Sequence, residues 1–99
     1  MRYRVLYHTD IESDIKEAKE WYKKQLNGLE KKFSLSVKET IGYITQNPLF
    51  FEVKYKQTRI AFTKTFPFGV HYHLNEQTKT ITILTVLHTS TDSVKWDRR

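Results

Sequence analysis

The side chains of this chain that are best suited to chemistry lie in its second half: Arg59, Lys64, His71 and His88. Lysine and arginine stabilise the negative charge that develops when a phosphodiester is cleaved, and histidine can move a proton. Four such side chains on one surface would favour RNA cleavage. Whether they converge depends on the helices and strands that carry them.

A metal site is a second possibility. His71 and His73 are two residues apart, so both imidazoles would project from the same face of a strand, with His88 on a neighbouring strand. No Asp, Glu or Cys stands at a matching position to complete four ligands. The sequence therefore predicts neither a metal site nor a cofactor.

The composition is that of one small basic domain. Ninety-nine residues, 38% of them hydrophobic, support one core, so we expect a single domain over residues 1–99. Seventeen Lys and Arg against 11 Asp and Glu give a formal charge of +6. That charge favours an acidic partner, either nucleic acid or protein.

Two absences from the sequence bear on location. The chain has no cysteine, which fits a reducing compartment. Its first apolar stretch is broken within a few residues, and it contains no apolar run of about 18 residues, so we expect neither a signal peptide nor a membrane span. The predicted location is the cytoplasm.

The first half of the chain predicts a strand followed by a helical hairpin. Residues 3–8 alternate as a strand does. A first helical stripe then recurs every three or four residues at Ile11, Ile15, Ala18, Tyr22 and Leu26. Asn27-Gly28 ends that helix, and a second stripe runs through Leu29, Phe33, Val37, Ile41 and Ile44 until Asn47-Pro48.

Beyond Pro48 the period changes to two, which indicates a sheet. Residues 50–55 are expected to form a short edge segment, and residues 58–65, 70–74 and 80–87 to form strands, with a turn at 75–78. The predicted fold class is α+β: a two-helix hairpin on one face of a mainly antiparallel sheet of three to five strands. The element order is β-α-α-β-β-β, and the first strand is expected to pair with a late one.

The last predicted strand is rich in β-branched residues, so we expect it to be central. Ile81 and Ile83 would face the helices, while Leu84 and Val86 would lie on the other face. Because nothing else in so small a chain covers that second face, Leu84 and Val86 are expected to form a partly exposed apolar strip for a partner.

Several motifs occur in a specific order: Phe66-Pro67-Phe68-Gly69, a hairpin, His88, Trp96 and Arg99, after a charged helix and Asn47-Pro48. In this order the chain resembles the RelE/ParE superfamily of toxins from bacterial type II toxin–antitoxin modules, which includes the plasmid stabilisation proteins. The resemblance spans nearly the whole chain. It implies the small fold predicted above and an acidic antitoxin as partner.

One branch of this superfamily, the RelE branch, cleaves messenger RNA on the ribosome with lysines, arginines and a terminal tyrosine. The matching positions in this chain are Ile60, Phe62, Gly69, Ser90 and Trp96. None of these side chains supplies a cation or a titratable oxygen. We therefore expect no catalytic residues and favour a protein that is not an enzyme.

The ParE branch matches better, at Arg59, Phe68, His88, Trp96 and Arg99. That resemblance implies a toxin that blocks DNA gyrase and catalyses nothing itself. The two arginines that the family usually carries after the histidine are replaced by Ser90 and Thr91, which leaves the target and the toxicity open.

The predicted contact with the antitoxin or the target consists of basic and apolar side chains: Arg59, Lys64, Leu84, Val86, Trp96, Arg98 and Arg99. Two alternatives stand beside the gyrase inhibitor. One is a ribosome-dependent endoribonuclease of the RelE kind, which acts on the ribosome and messenger RNA with a rearranged basic site. The other is a basic nucleic-acid-binding module without toxicity.

Overall fold

The computed structural model describes residues 2–91. The elements are β1 (Arg4–Tyr7), α1 (Ile11–Gln25), α2 (Leu29–Gln46), β2 (Val53–Tyr55), β3 (Thr58–Phe62), β4 (Phe68–Asn75) and β5 (Thr80–His88). The strands form one sheet in the order β1-β5-β4-β3-β2. The α+β prediction is confirmed, and the expected edge segment is the short strand β2.

The sheet is antiparallel except at one edge. There β1 runs parallel to β5, with Val5 opposite Ile81, which confirms that the first strand pairs with a late one. β1 and β2 form the two edges of the sheet, so the helical hairpin that joins them crosses the sheet. This topology places both helices on one face of the sheet.

The two helices follow their apolar stripes. Acidic side chains in the first turn of α1 and basic ones in its last turn complement the helix dipole. Gly28, between the helices, has a φ of 98°, a left-handed conformation that glycine adopts without strain. The hairpin therefore turns where the Asn27-Gly28 pair predicted it.

The core lies between the helices and β3–β5. A cluster of aromatic side chains forms its centre. The ring centroids of Phe33 and Phe68 are 4.9 Å apart, and those of Tyr22 and Phe66 are 5.0 Å apart. Tyr72 is fully buried and donates a hydrogen bond of 2.6 Å to the carbonyl of Pro48. Burial raises the pKa of Tyr72 to about 12, against the opposing effect of Arg59.

The prediction that Leu84 and Val86 form a partly exposed apolar strip is wrong. β5 carries one extra residue, since His71 lies opposite Thr85 whereas the next residue, Tyr72, lies opposite Ile83. Such a bulge reverses the alternation, so Val86 returns to the core cluster with Ile81 and Ile83, and Leu84 lies outside that cluster. Both side chains are buried, with exposed fractions of 7% for Leu84 and 4% for Val86.

Neither helix of residues 2–91 combines the length and the apolar character needed to cross a membrane.

Candidate partner-binding surface

Three of the positions matched to cations of the RelE branch lie together on β3 and β4, and in this chain they form an apolar patch. Phe62 lies opposite Gly69, and Ile60 lies opposite His71. A Cβ atom added at Gly69 would stand 2.7 Å from Cγ2 of Ile60, far inside van der Waals contact. No longer side chain fits at position 69 unless Ile60 moves. We call Ile60, Phe62 and Gly69 the closed patch.

The histidine beside the closed patch is buried and neutral. His71 is only 2% exposed, and burial lowers its pKa to about 4. Its Nδ1 lies 2.9 Å from the hydroxyl of Tyr55. An uncharged imidazole adds no cation to the patch at neutral pH, and a pKa so far below neutrality makes a poor proton donor there.

The other two histidines have different neighbours. His73 shares a hydrogen bond of 2.9 Å with the hydroxyl of Thr58. Nδ1 of His88 accepts a 3.0 Å hydrogen bond from the backbone of Ser90, and its ring packs against Phe68. Within residues 2–91 no three metal-binding side chains cluster.

Arg59 and Lys64 lie at opposite ends of β3. The guanidinium of Arg59 donates a 2.6 Å hydrogen bond to the carbonyl of Phe51, so it fastens the segment after α2 to the sheet. The ammonium of Lys64 lies 5.6 Å from the ring centroid of Tyr43 on α2. The two cations thus contact different segments, the loop after α2 and α2 itself, and no described contact joins them.

The remaining predicted contact residues divide into two groups. Leu84 and Val86 are buried, as described above. Trp96, Arg98 and Arg99 lie outside the described residues. Of the seven predicted contact residues, the structure therefore presents Lys64 as an exposed side chain and Arg59 as a half-buried one.

An open groove of about 530 Å³ lies beside α1, and we call it the α1 groove. It was not predicted from the sequence. One wall is the exposed side of α1, and the other is formed by the adjoining ends of β4 and β5. The lining residues within the described chain are Asp14, Glu17, Ala18, Glu20, Trp21, Tyr22, Lys24, Phe68, Val86, Leu87 and His88. Three carboxylates and one ammonium thus surround an aromatic and aliphatic floor.

Trp21 is the one signal in the sequence that could have revealed this groove. It stands at the edge of the apolar stripe of α1 among charged residues, and its side chain is 58% exposed. The indole meets the ring of Tyr22 edge to face, with centroids 5.1 Å apart, so the buried core supports it from one side. The opposite wall of the groove comes from β4 and β5, which are remote from α1 in the sequence.

Comparison with known proteins finds relatives by structure alone. No protein-family model and no curated protein matches the sequence. A chain of the chromosomal ParDE TA system from P. aeruginosa superposes with a TM-score of 0.78 at 14% identity, covering 90% of this chain and 98% of that one.

Two further solved structures agree. A chain of the RelBE2 toxin–antitoxin complex from Mycobacterium tuberculosis gives a TM-score of 0.61 at 18% identity, over 89% of this chain and 99% of that one. A chain of the archaeal RelE–RelB complex from Pyrococcus horikoshii OT3 gives 0.50 at 17% identity, over 93% and 100%. The resemblance noted in the sequence is thus confirmed at the level of structure, and the chain has the RelE/ParE-like fold.

Proposed function

We propose that this chain is the toxin component of a type II toxin–antitoxin module, that it stops growth by blocking DNA gyrase, and that an acidic antitoxin neutralises it. Two lines of support meet here. The sequence motifs follow the ParE branch at Arg59, Phe68 and His88. The solved structures that share the fold over about nine-tenths of this chain come from toxin–antitoxin systems.

The closed patch is the observation that carries the choice of a blocking protein over a nuclease. Cleavage of a phosphodiester needs cations placed against the reacting phosphate. Here two of the relevant positions hold Ile60 and Phe62, and the third, Gly69, has no room for a side chain beside Ile60. The nearby His71 is neutral, which removes a further source of charge. A protein with this surface can obstruct a partner without cleaving RNA.

For the antitoxin contact we propose the surface around Lys64. Its ammonium is exposed and held near the ring of Tyr43, and Phe62, two residues away, is 57% exposed. An acidic segment with apolar side chains would meet both kinds of group there. The guanidinium of Arg59 holds the carbonyl of Phe51, away from Lys64, so Arg59 remains a separate proposed contact. Trp96, Arg98 and Arg99 also remain proposed contacts.

The decisive test is controlled expression of the chain in growing bacteria, with DNA-damage signalling and messenger RNA ends measured in the same culture. We expect filamentation, induced damage signalling and intact messages. Cuts positioned within the codons of translated messages would instead establish the nuclease. Unimpeded growth, from a chain shown to be present and folded, would leave only a basic binding module.

A matched pair of variants tests the antitoxin contact once an acidic antitoxin encoded beside this chain has been identified and co-expressed. Lys64→Gln should weaken neutralisation or complex formation. Lys79→Gln should not, although the ammonium of Lys79 lies at a similar distance, 5.5 Å, from the ring centroid of Tyr3. If both variants weaken complex formation equally, binding of the antitoxin depends on the net charge of the chain and not on the Lys64 surface.

A further inference from the structure

The α1 groove has the opposite charge to the protein that contains it. The whole chain carries a formal charge of +6, whereas the groove residues include Asp14, Glu17 and Glu20 against Lys24 alone. The two exposed carboxylates, Glu17 and Glu20, form no ion pair with a side chain of residues 2–91. The groove residues therefore carry more negative than positive charge, which suits the groove to a cation.

The floor of the groove is suited to an apolar group and to the same cation. Trp21 is exposed and braced by Tyr22, and the indole face is the strongest aromatic partner for a guanidinium or ammonium. Phe68 lies beside it and packs against His88, while Leu87 is half-buried. A long basic side chain could lay its stem on this floor and still reach the carboxylates.

We propose that the α1 groove docks a basic peptide segment of a partner protein, one that presents arginine or lysine next to a bulky apolar side chain. The groove volume of about 530 Å³ suits a few side chains and not a folded domain. This partner chemistry differs from that of the acidic segment proposed for the Lys64 surface. The groove keeps its charge and shape whether or not the chain is a toxin.

Asp14 plays a supporting part. One of its carboxylate oxygens accepts a 2.6 Å hydrogen bond from the hydroxyl of Thr85, which fixes the start of α1 against β5. That bond joins α1, which forms one wall of the groove, to β5, whose end forms part of the other. Recognition of the cation therefore falls to Glu17 and Glu20.

The experiment is an NMR titration of the isotope-labelled full chain with two synthetic amidated peptides. In one peptide arginine alternates with leucine, and in the other glutamate replaces every arginine. We expect the arginine peptide to give saturable shifts at the Trp21 indole N–H, assigned with Trp21→Phe, and at residues 17–24 and 86–88. The affinity should fall with added salt, because the carboxylates are exposed.

The variants decide whether the groove carboxylates are responsible. Replacing both with Glu17→Gln and Glu20→Gln should weaken the arginine peptide about fivefold. The control, Glu39→Gln with Glu76→Gln, makes the same charge change at two exposed carboxylates outside the groove and should leave the affinity within about twofold.

Four results would overturn the proposal. They are equal binding of the glutamate peptide, shifts confined to another surface, equal losses in the two double variants, and no binding at all. A further variant, Arg98→Gln with Arg99→Gln, identifies a competing occupant. If it moves the groove signals without any peptide, the chain's own terminal segment fills the groove, and the proposal is again wrong.

Discussion

The closed patch and the α1 groove lie on one small scaffold and differ in every property that decides what a surface can do. The closed patch is apolar: Gly69 packs tightly against Ile60 beside a neutral His71, and Phe62 is exposed at its rim. The α1 groove is open and carries carboxylates around an exposed indole. Within residues 2–91 the first surface presents no cationic side chain, whereas the second presents carboxylates beside an exposed indole.

The largest effect should come from forcing a cation into the closed patch. Ile60→Lys removes a buried apolar side chain and buries a charge, so we expect it to lower the free energy of unfolding by about 3–4 kcal/mol. Phe62→Lys, at a position that is 57% exposed, should cost about 1 kcal/mol or less. Urea unfolding measures both. If Ile60→Lys leaves the free energy of unfolding nearly unchanged, the closed patch can accommodate a cation, which would contradict this account.

The next effect is the pH dependence that follows from His71. Its pKa is about 4 in the folded chain and about 6.5 when unfolded, so between these values the unfolded chain binds a proton that the folded chain does not. The contribution of His71 to stability should be complete above pH of about 6.5 and should fall by on the order of 3 kcal/mol as the pH drops from about 6.5 to about 4.

Denaturant midpoints across this pH range test that expectation. The slope should decrease in His71→Gln and persist in His73→Gln, which keeps the buried imidazole of His71. An unchanged slope in His71→Gln would assign the pH dependence to other groups.

Two glycines should respond to alanine with opposite signs. Gly69→Ala places a methyl group 2.7 Å from Ile60, so it should cost about 1–3 kcal/mol. Gly42→Ala lies within α2, and no described atom stands within 4 Å of the added Cβ, so it should stabilise by about 0.5–1 kcal/mol. Thermal unfolding reports both. A Gly69→Ala variant as stable as the unchanged chain, or more stable, would contradict the tight packing of Gly69 against Ile60.

The smallest effect is expected at the groove. Glu17→Gln and Glu20→Gln remove exposed charges without a partner within residues 2–91, so each should change stability by no more than about 0.5 kcal/mol. The same unfolding assay applies. A larger loss would assign these carboxylates to the fold and not to binding.

Periodicity predicted the elements well, because each helix and most strands bury one face. The stripe through Ile11 and Tyr22 and the alternation around Val70 and Tyr72 both belong to the observed core. The orientation of Val86 could not be read in this way, since one extra residue in β5 reverses the alternation and leaves no mark in the pattern itself.

The candidate surfaces were harder to predict than the elements. The closed patch was foreseen in its residue types, yet the contact between Gly69 and Ile60 depends on the strand register. The α1 groove joins Glu17 and Trp21 to His88, residues that are distant in sequence, so only the folded chain brings them together. The local pattern of residue types does not predict which remote residues lie together in the fold.

The most direct test of the central claim is a supercoiling assay with purified DNA gyrase and the purified full-length chain, run beside a translation extract in which message ends are mapped. We predict that the chain stops supercoiling and leaves translated messages whole. Full supercoiling together with cut messages would contradict a blocking toxin and restore the nuclease.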